Sequence, residues 1–271
     1  MVTQEQRKRQ LAREKFLRQQ QRRTSARRKA RMRNSVIASV LGVIIIGSLA
    51  LYTTGVLKDD DKTNASSETT PSASPSAAKD PCEKPAAGSI KTQTWKKEPA
   101  ITIDTSAKYT MTLATTCGDI GIALKAKAAP HTVNSFDFLA GKGYFDHTKC
   151  HRLTTNGIYV LQCGDPTGQG SGGPGYTIPD ENLKDASLKA NTYPAGTIAM
   201  ANTGQPHTGG SQFFLVYQDS QLPPSYTPFG TVSADGMKVL RKIAAAGENT
   251  GAGDGAPNAT VVINKATVTK S

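Results

Sequence analysis

The chain has 271 residues and a formal net charge of +12. Residues 1–34 hold 13 Lys/Arg against two acids, a local charge of +11, while the remaining 237 residues hold 20 basic against 19 acidic groups. A uniformly basic globular domain is thereby excluded, and no nucleic-acid partner is expected. Apolar residues make up 37%, below the roughly 45–50% of soluble domains, so non-globular segments are expected. Four cysteines are too few for a small disulfide scaffold, but their even number fits an oxidising compartment.

Residues 1–34 have almost no apolar face to bury and read as a basic cytoplasmic tail. Val36 to Leu57 then runs 22 residues without a charge, enough at about 1.5 Å per residue to cross roughly 30 Å of hydrocarbon. Arg27, Arg28, Lys29, Arg31 and Arg33 precede this run, and Lys58-Asp59-Asp60-Asp61 follows it. The positive-inside rule places the N-terminus in the cytoplasm and the rest outside. A cleaved signal peptide would have an apolar region of about 7–15 residues. Residues 35–57 therefore read as an uncleaved transmembrane signal anchor with membrane lipid as its partner. Residues 58–104 read as a flexible linker, rich in Ser, Thr, Ala and Pro, and a lead-in containing the single Trp95. Residues 105–271 are long enough for one domain with a real core.

That domain reads as mostly β. Tyr109–Ala114 and Ile120–Leu124 alternate around Cys117-Gly118-Asp119, a hairpin pattern. Pro130 opens a helix with Val133, Phe136 and Leu139 on one face, ending at Gly141. Short strands are predicted at Cys150–Leu153, Ile158–Gln162, Thr197–Ala201, Gln212–Tyr217, Phe229–Val232 and Thr260–Val268. A second helix fits Gly236–Ala246, with Met237, Leu240 and Ile243 in register. Many short strands with two isolated helices point to a closed β-barrel.

Three stretches stand out: Cys150-His151-Arg152-Leu153 followed by Tyr159-Val160-Leu161-Gln162-Cys163-Gly164-Asp165, then Gly196-Thr197-Ile198-Ala199-Met200-Ala201-Asn202, then Gly209-Gly210-Ser211-Gln212-Phe213-Phe214. Together they closely resemble the core of the cyclophilin-type peptidyl-prolyl cis-trans isomerases, over about Tyr109 to Val268. The resemblance implies a closed eight-stranded antiparallel barrel capped by two α-helices. It also implies isomerisation of Xaa-Pro bonds in a bacterial, membrane-anchored, outward-facing member.

The chemistry follows from amide resonance, which sets a barrier of about 18–20 kcal/mol. A hydrogen bond donated to the proline nitrogen weakens the C–N double-bond character. Catalysis is then tighter binding of the twisted amide than of either planar form. A rigid, permanently charged donor suits this, and arginine provides it. The resemblance places the catalytic arginine at Arg152 and its orienting glutamine at Gln162. It assigns substrate binding to Asn202 and Gln212, and the proline pocket to Tyr159, Val160, Phe214, Leu222 and Tyr226. No metal and no cofactor are implied. The expected partners are proline-containing peptides and unfolded or exported proteins.

The chain departs from the family pattern in places. Nine residues separate Arg152 from Gln162, two more than the commonest pattern, and Asn202 to Gln212 is one longer. Cys150 replaces a Phe. Gln221 stands where cyclosporin-sensitive members carry Trp, so weak cyclosporin binding is predicted.

Other motifs fail. Gly168-x-Gly170-x-x-Gly173 fits a dinucleotide pattern, but Pro174-Gly175-Tyr176 follows it instead of a helix, so it reads as a loop. His131, His147, His151 and His207 lack metal-ligand spacing, and His151 reads as buried or hydrogen-bonded. Ser211 lacks the final glycine of a nucleophile elbow. Cys150 and Cys163 flank the Arg152 and Gln162 strands at matching distances from a turn. Antiparallel pairing would bring them face to face as a disulfide. Cys82 and Cys117 are then the leftover pair, which spacing alone does not prove. Two alternatives to the enzyme stand beside it: a peptide-binding chaperone module with little turnover, and an anchored scaffold whose tail recruits a partner.

Overall fold

The computed structural model describes residues 80–271. The basic tail, the Val36–Leu57 span and residues 58–79 of the linker lie outside the described residues. Among the described residues no helix is long and apolar enough to cross a membrane.

The strands are β1 (Tyr109–Thr115), β2 (Gly118–Leu124), β3 (Thr148–Lys149), β4 (Arg152–Thr154), β5 (Val160–Cys163), β6 (Thr192–Tyr193), β7 (Thr197–Met200), β8 (Phe213–Val216), β9 (Ser220–Gln221), β10 (Pro228–Val232), β11 (Asp254–Gly255) and β12 (Val262–Lys270). The helices are α1 (Pro130–Gly141) and α2 (Ala234–Ala245). Ten strands form one antiparallel sheet in the order β11-β4-β5-β8-β7-β10-β2-β1-β12-β3, and β6 and β9 form a separate ribbon.

The expectation of a closed eight-stranded barrel is corrected here: the sheet is curled but its ladder does not close, and it has ten strands. The cause lies at Cys150-His151. The Cys150 amide donates to the Val261 carbonyl (2.9 Å), and the next amide, of His151, donates to the Gln162 carbonyl (3.1 Å). One segment thus leaves β12 and joins β5 within two residues. It breaks into β3 and β4, and no continuous ladder crosses the gap.

The hairpin forms as its alternation predicts. β1 and β2 pair in register from Tyr109↔Leu124 to Thr115↔Gly118. Met111, Leu113, Ile120 and Ile122 are buried. Proline at its first position suits α1, because its missing N–H has no helical partner there anyway. Phe136 of α1 enters the core, with ring centroids 4.6 Å from Phe229, 5.2 Å from Phe145 and 5.6 Å from Phe213. α2 starts two residues before the predicted Gly236, because Ser233 caps it by accepting from the Gly236 amide (3.1 Å). Such a cap contributes about 1 kcal/mol.

Residues 80–104 contain neither helix nor strand, yet they are fastened to the domain. Cys82 is bonded to Cys117. The Ala86 amide donates to Asn264 Oδ1 (3.0 Å), and the Trp95 amide donates to the Pro174 carbonyl (2.8 Å). The Trp95 ring packs on Phe138 (5.1 Å) and Tyr144 (5.9 Å). This stretch, assigned to linker and lead-in from composition, is a strap on the folded unit.

Candidate active site

The site lies on the outer face of β4, β5, β8 and β7. Leu161, Cys163, Ile198, Met200, Phe213 and Leu215 point into the main core. Their neighbours Val160, Ala199, Phe214 and Val216 point the other way and form a second apolar cluster with Tyr193. Strand alternation alone produces these two faces. Ile158, Leu188, Ala201, Leu222 and Tyr226 pack against the outer cluster. The Tyr193 hydroxyl donates to the Tyr226 carbonyl (2.7 Å) and accepts from the Tyr226 amide (3.2 Å), which seats that loop. Burial pushes the Tyr193 hydroxyl pKa up to about 12.

Arg152 pairs with Gln162, and Gln162 with Phe214, in one row across β4, β5 and β8. Residues directly opposite in an antiparallel ladder share a face. Arg152 thus stands two strand spacings, about 10 Å, from Phe214. A polar line runs along this row. Arg152 Nη1 donates to Gln162 Oε1 (3.2 Å), Gln162 Nε2 to Gln212 Oε1 (3.0 Å), and Gln212 Nε2 to the Gly172 carbonyl (2.9 Å). At the other end Asp254 accepts from Arg152 Nε (2.7 Å) and Nη2 (2.8 Å). These bonds with Asp254 raise the Arg152 pKa against the effect of burial.

A groove of about 940 Å³ begins at Gln162, Gln212 and Asn202 and runs along Gly170–Thr177 to the strap at Lys96–Glu98. Asn202 braces its rim: Nδ2 donates to the Ser225 carbonyl (2.8 Å) and Oδ1 accepts from the Gly204 amide (3.0 Å). The opposite wall is the glycine-rich loop. It wraps the fully buried Asp165 carboxylate, which accepts from the amides of Thr167 (2.7 Å), Gln169 (3.1 Å), Gly170 (2.6 Å) and Ser171 (3.0 Å). Burial alone would raise the Asp165 pKa, but these bonds and the Thr167 hydroxyl lower it overall. A Cβ on Gly172 would lie 2.1 Å from Asp165 Oδ1, so only glycine fits there.

The structure brings most of the expected residues together. Arg152, Gln162 and Gln212 share the polar line, and Val160, Phe214, Leu222 and Tyr226 share the apolar cluster. Tyr159 stands apart from them: its ring packs on Tyr217 (5.9 Å), and Ile158 packs against the apolar cluster. The reason is parity. Ile158 and Val160 lie at even offsets from Gln162 and share its face, whereas Tyr159 lies at an odd offset. Cys150–Cys163 and Cys82–Cys117 are both disulfides. His151 is not hydrogen-bonded: both ring nitrogens are buried with no partner among the described residues. Burial lowers its pKa, with Asp165 opposing and Arg152 and Lys149 adding to the effect. Asp254 was missed, and of the strap only its Cys82–Cys117 tie was expected. Asp254 lies in a glycine-rich loop, 102 residues from Arg152, and no motif marks it.

A curled antiparallel sheet with two helices, carrying an arginine beside an outer apolar cluster, defines a class. Residues 110–268 match the family model described as cyclophilin type peptidyl-prolyl cis-trans isomerase/CLD, and the chain belongs to this family. It is similar to "Probable peptidyl-prolyl cis-trans isomerase B" of Mycobacterium leprae, with 52% identity over 165 residues, covering 58% of this chain and 56% of that one. A "Peptidyl-prolyl cis-trans isomerase" of Helicobacter pylori is 40% identical over 134 residues, covering 49% of this chain and 78% of that one. A crystal structure of a Cryptosporidium parvum cyclophilin type peptidyl-prolyl cis-trans isomerase, in the presence of the dipeptide Ala-Pro, superposes with a TM-score of 0.50 at 28% identity. That match covers 60% of this chain and 99% of that one. The chain thus spans a little over half of its mycobacterial relative.

Proposed function

We propose that this protein is a peptidyl-prolyl cis-trans isomerase acting on Xaa-Pro bonds of exported or envelope proteins. One observation carries the reading: a guanidinium with N–H groups to spare stands in the same cross-strand row as Phe214 of the outer apolar cluster. Arginine has five N–H donors. Asp254 takes two and Gln162 one, which leaves two for a substrate. In this reading the proline ring enters the cluster of Val160, Phe214, Leu222 and Tyr226. The groove past Asn202 and Gln212 takes the adjoining peptide. Arg152 donates to the prolyl nitrogen as the amide twists, when that nitrogen gains a lone pair. This bond is stronger in the twisted form than in either planar form, which is the requirement for lowering the barrier.

The cellular setting belongs to the same proposal. The uncharged Val36–Leu57 run and its flanking charges support a single-pass anchor with a cytoplasmic N-terminus. Two disulfides in the domain support an oxidising, extracytoplasmic compartment. Gln221 is exposed on β9 and offers no indole, which supports weak cyclosporin binding.

The test is cis-to-trans conversion of a short Xaa-Pro peptide by the oxidised full chain in mild detergent. Acceleration above the uncatalysed rate is expected, with Arg152→Ala losing roughly 10²–10³-fold in kcat/KM, the scale for removing one electrostatic donor. A wild-type rate equal to the uncatalysed one refutes the enzyme; retained peptide binding would then leave a binding module.

A further inference from the structure

We infer that Asp254 is a positioning residue for Arg152, setting the plane in which the guanidinium meets the prolyl amide. This inference rests on the isomerase reading above. An exposed ion pair usually contributes little, because two long side chains must be held in one geometry. Here the holding is done in advance. Asp254 sits on β11 opposite Thr154, one ladder step diagonal from Arg152 and on the same face, within reach of a long side chain. Its loop is itself fixed from inside. The Glu248 carboxylate accepts from the Thr250 amide (2.6 Å), the Thr250 hydroxyl (2.6 Å) and the Gly253 amide (2.9 Å). The Thr155 amide donates to the Gly253 carbonyl (2.9 Å), and the Ala256 amide to Asn249 Oδ1 (2.9 Å). Asp254 is therefore presented on a braced turn, and its two oxygens meet Nε and Nη2 side-on at 2.7 and 2.8 Å.

A side-on carboxylate fixes more than position. Two parallel N–H···O bonds fix the guanidinium plane, which one bond cannot do. Gln162 holds the third donor, so the two free N–H bonds have one available direction. Without Asp254 the side chain keeps its charge and its single bond to Gln162 but rotates about it. The apolar cluster is untouched, since Asp254 reaches Arg152 from β11, on the opposite side of β4 from the β5–β8 strands that carry Val160 and Phe214. The loss therefore falls on the chemical step and not on binding.

The experiment uses the full chain in mild detergent and an Xaa-Pro peptide. Asp254→Asn keeps the size but loses the charge and one of the two acceptors. A fall in kcat of roughly tenfold is expected, with KM within about twofold and thermal stability unchanged. Asp254→Glu, which restores a two-oxygen acceptor, should recover most of the rate. Nitrogen-15 NMR of the Arg152 side chain should show slow exchange of Nε–H in the wild type and fast exchange in Asp254→Asn. Wild-type kcat in Asp254→Asn overturns the inference and leaves the isomerase reading standing. Parallel loss of rate and stability in both variants overturns it as well. If the wild-type chain shows no isomerase activity, the functional reading falls and this role falls with it; the NMR arm then reports only whether Asp254 holds the guanidinium.

Discussion

Two charged groups near the groove are treated in opposite ways. Asp165 is fully buried, and four amides and a hydroxyl converge on its two oxygens. Arg152 is 36% exposed, and three of its five N–H donors are engaged. A charge whose bonding capacity is used up inside the protein holds a loop in shape. A charge with capacity left over, aimed by what it does bind, is available to a substrate. Hydrogen-bond bookkeeping of this kind separates the two roles where charge and proximity to the groove do not.

The largest expected effect breaks the Arg152 side of the contrast. Arg152→Lys keeps the charge but cannot hold Asp254 at two points while also facing the pocket. A loss of about 10²-fold in kcat/KM is expected in the peptide assay, with peptide binding retained. On the other side, Asp165→Asn sets an amide NH₂ against amide donors that then lack an acceptor. A stability loss of about 1–3 kcal/mol is expected by denaturant titration. A smaller fall in rate should accompany it through Gly172, whose carbonyl holds Gln212. Gln162→Ala joins the two sides, because Gln162 lies between Arg152 and Gln212 in the polar line. Roughly tenfold in kcat/KM is expected, with stability little changed; a loss as large as that of Arg152→Ala would mean that Gln162 itself acts on the amide.

The smallest effect is a pH dependence. The folded pKa of His151 is lowered by burial, against about 6.5 in an unfolded chain. Above that value both states carry it neutral. As pH falls below about 6.5 the unfolded chain takes up the proton first, so stability declines toward the lowered folded value. A modest decrease in Tm between pH 7.5 and 5.5, reduced in His151→Gln, is the expected outcome. Identical slopes in the two proteins would remove His151 from the account.

What could be read in advance follows from the range of the interactions. The β1–β2 hairpin and both helices are local, so alternation, Pro130 and the Met237, Leu240, Ile243 spacing reveal them. Arg152, Gln162, Val160 and Phe214 were legible because their motifs run along strands whose pairing sets them on one face. The packing of Tyr159 on Tyr217 was not legible, because Tyr159 lies just before β5 and motif counting does not show which way a side chain turns there. The two-residue strands β3, β6, β9 and β11 carry no periodicity at all. Asp254 reaches Arg152 through such a strand, across 102 residues of sequence. The strap has neither alternation nor helical spacing, and apart from its disulfide it is held by scattered hydrogen bonds and the Trp95 ring, so composition made it look like linker.

The strap also has a consequence for the order in which the chain is made. The Asp80 carboxylate accepts from the Thr260 amide, 180 residues later, and the Ala86 amide reaches Asn264, 178 residues later. At synthesis rates of about 5–20 residues per second, the first part of the unit waits roughly 10–35 s for its last partners. During that wait Cys82 and Cys117 are both present before Cys150 and Cys163 have been made. Cysteines numbered in chain order pair first with second and third with fourth, one of three possible connectivities. It is also the one that synthesis from one end offers first, and the partners of the strap's closing contacts are made last.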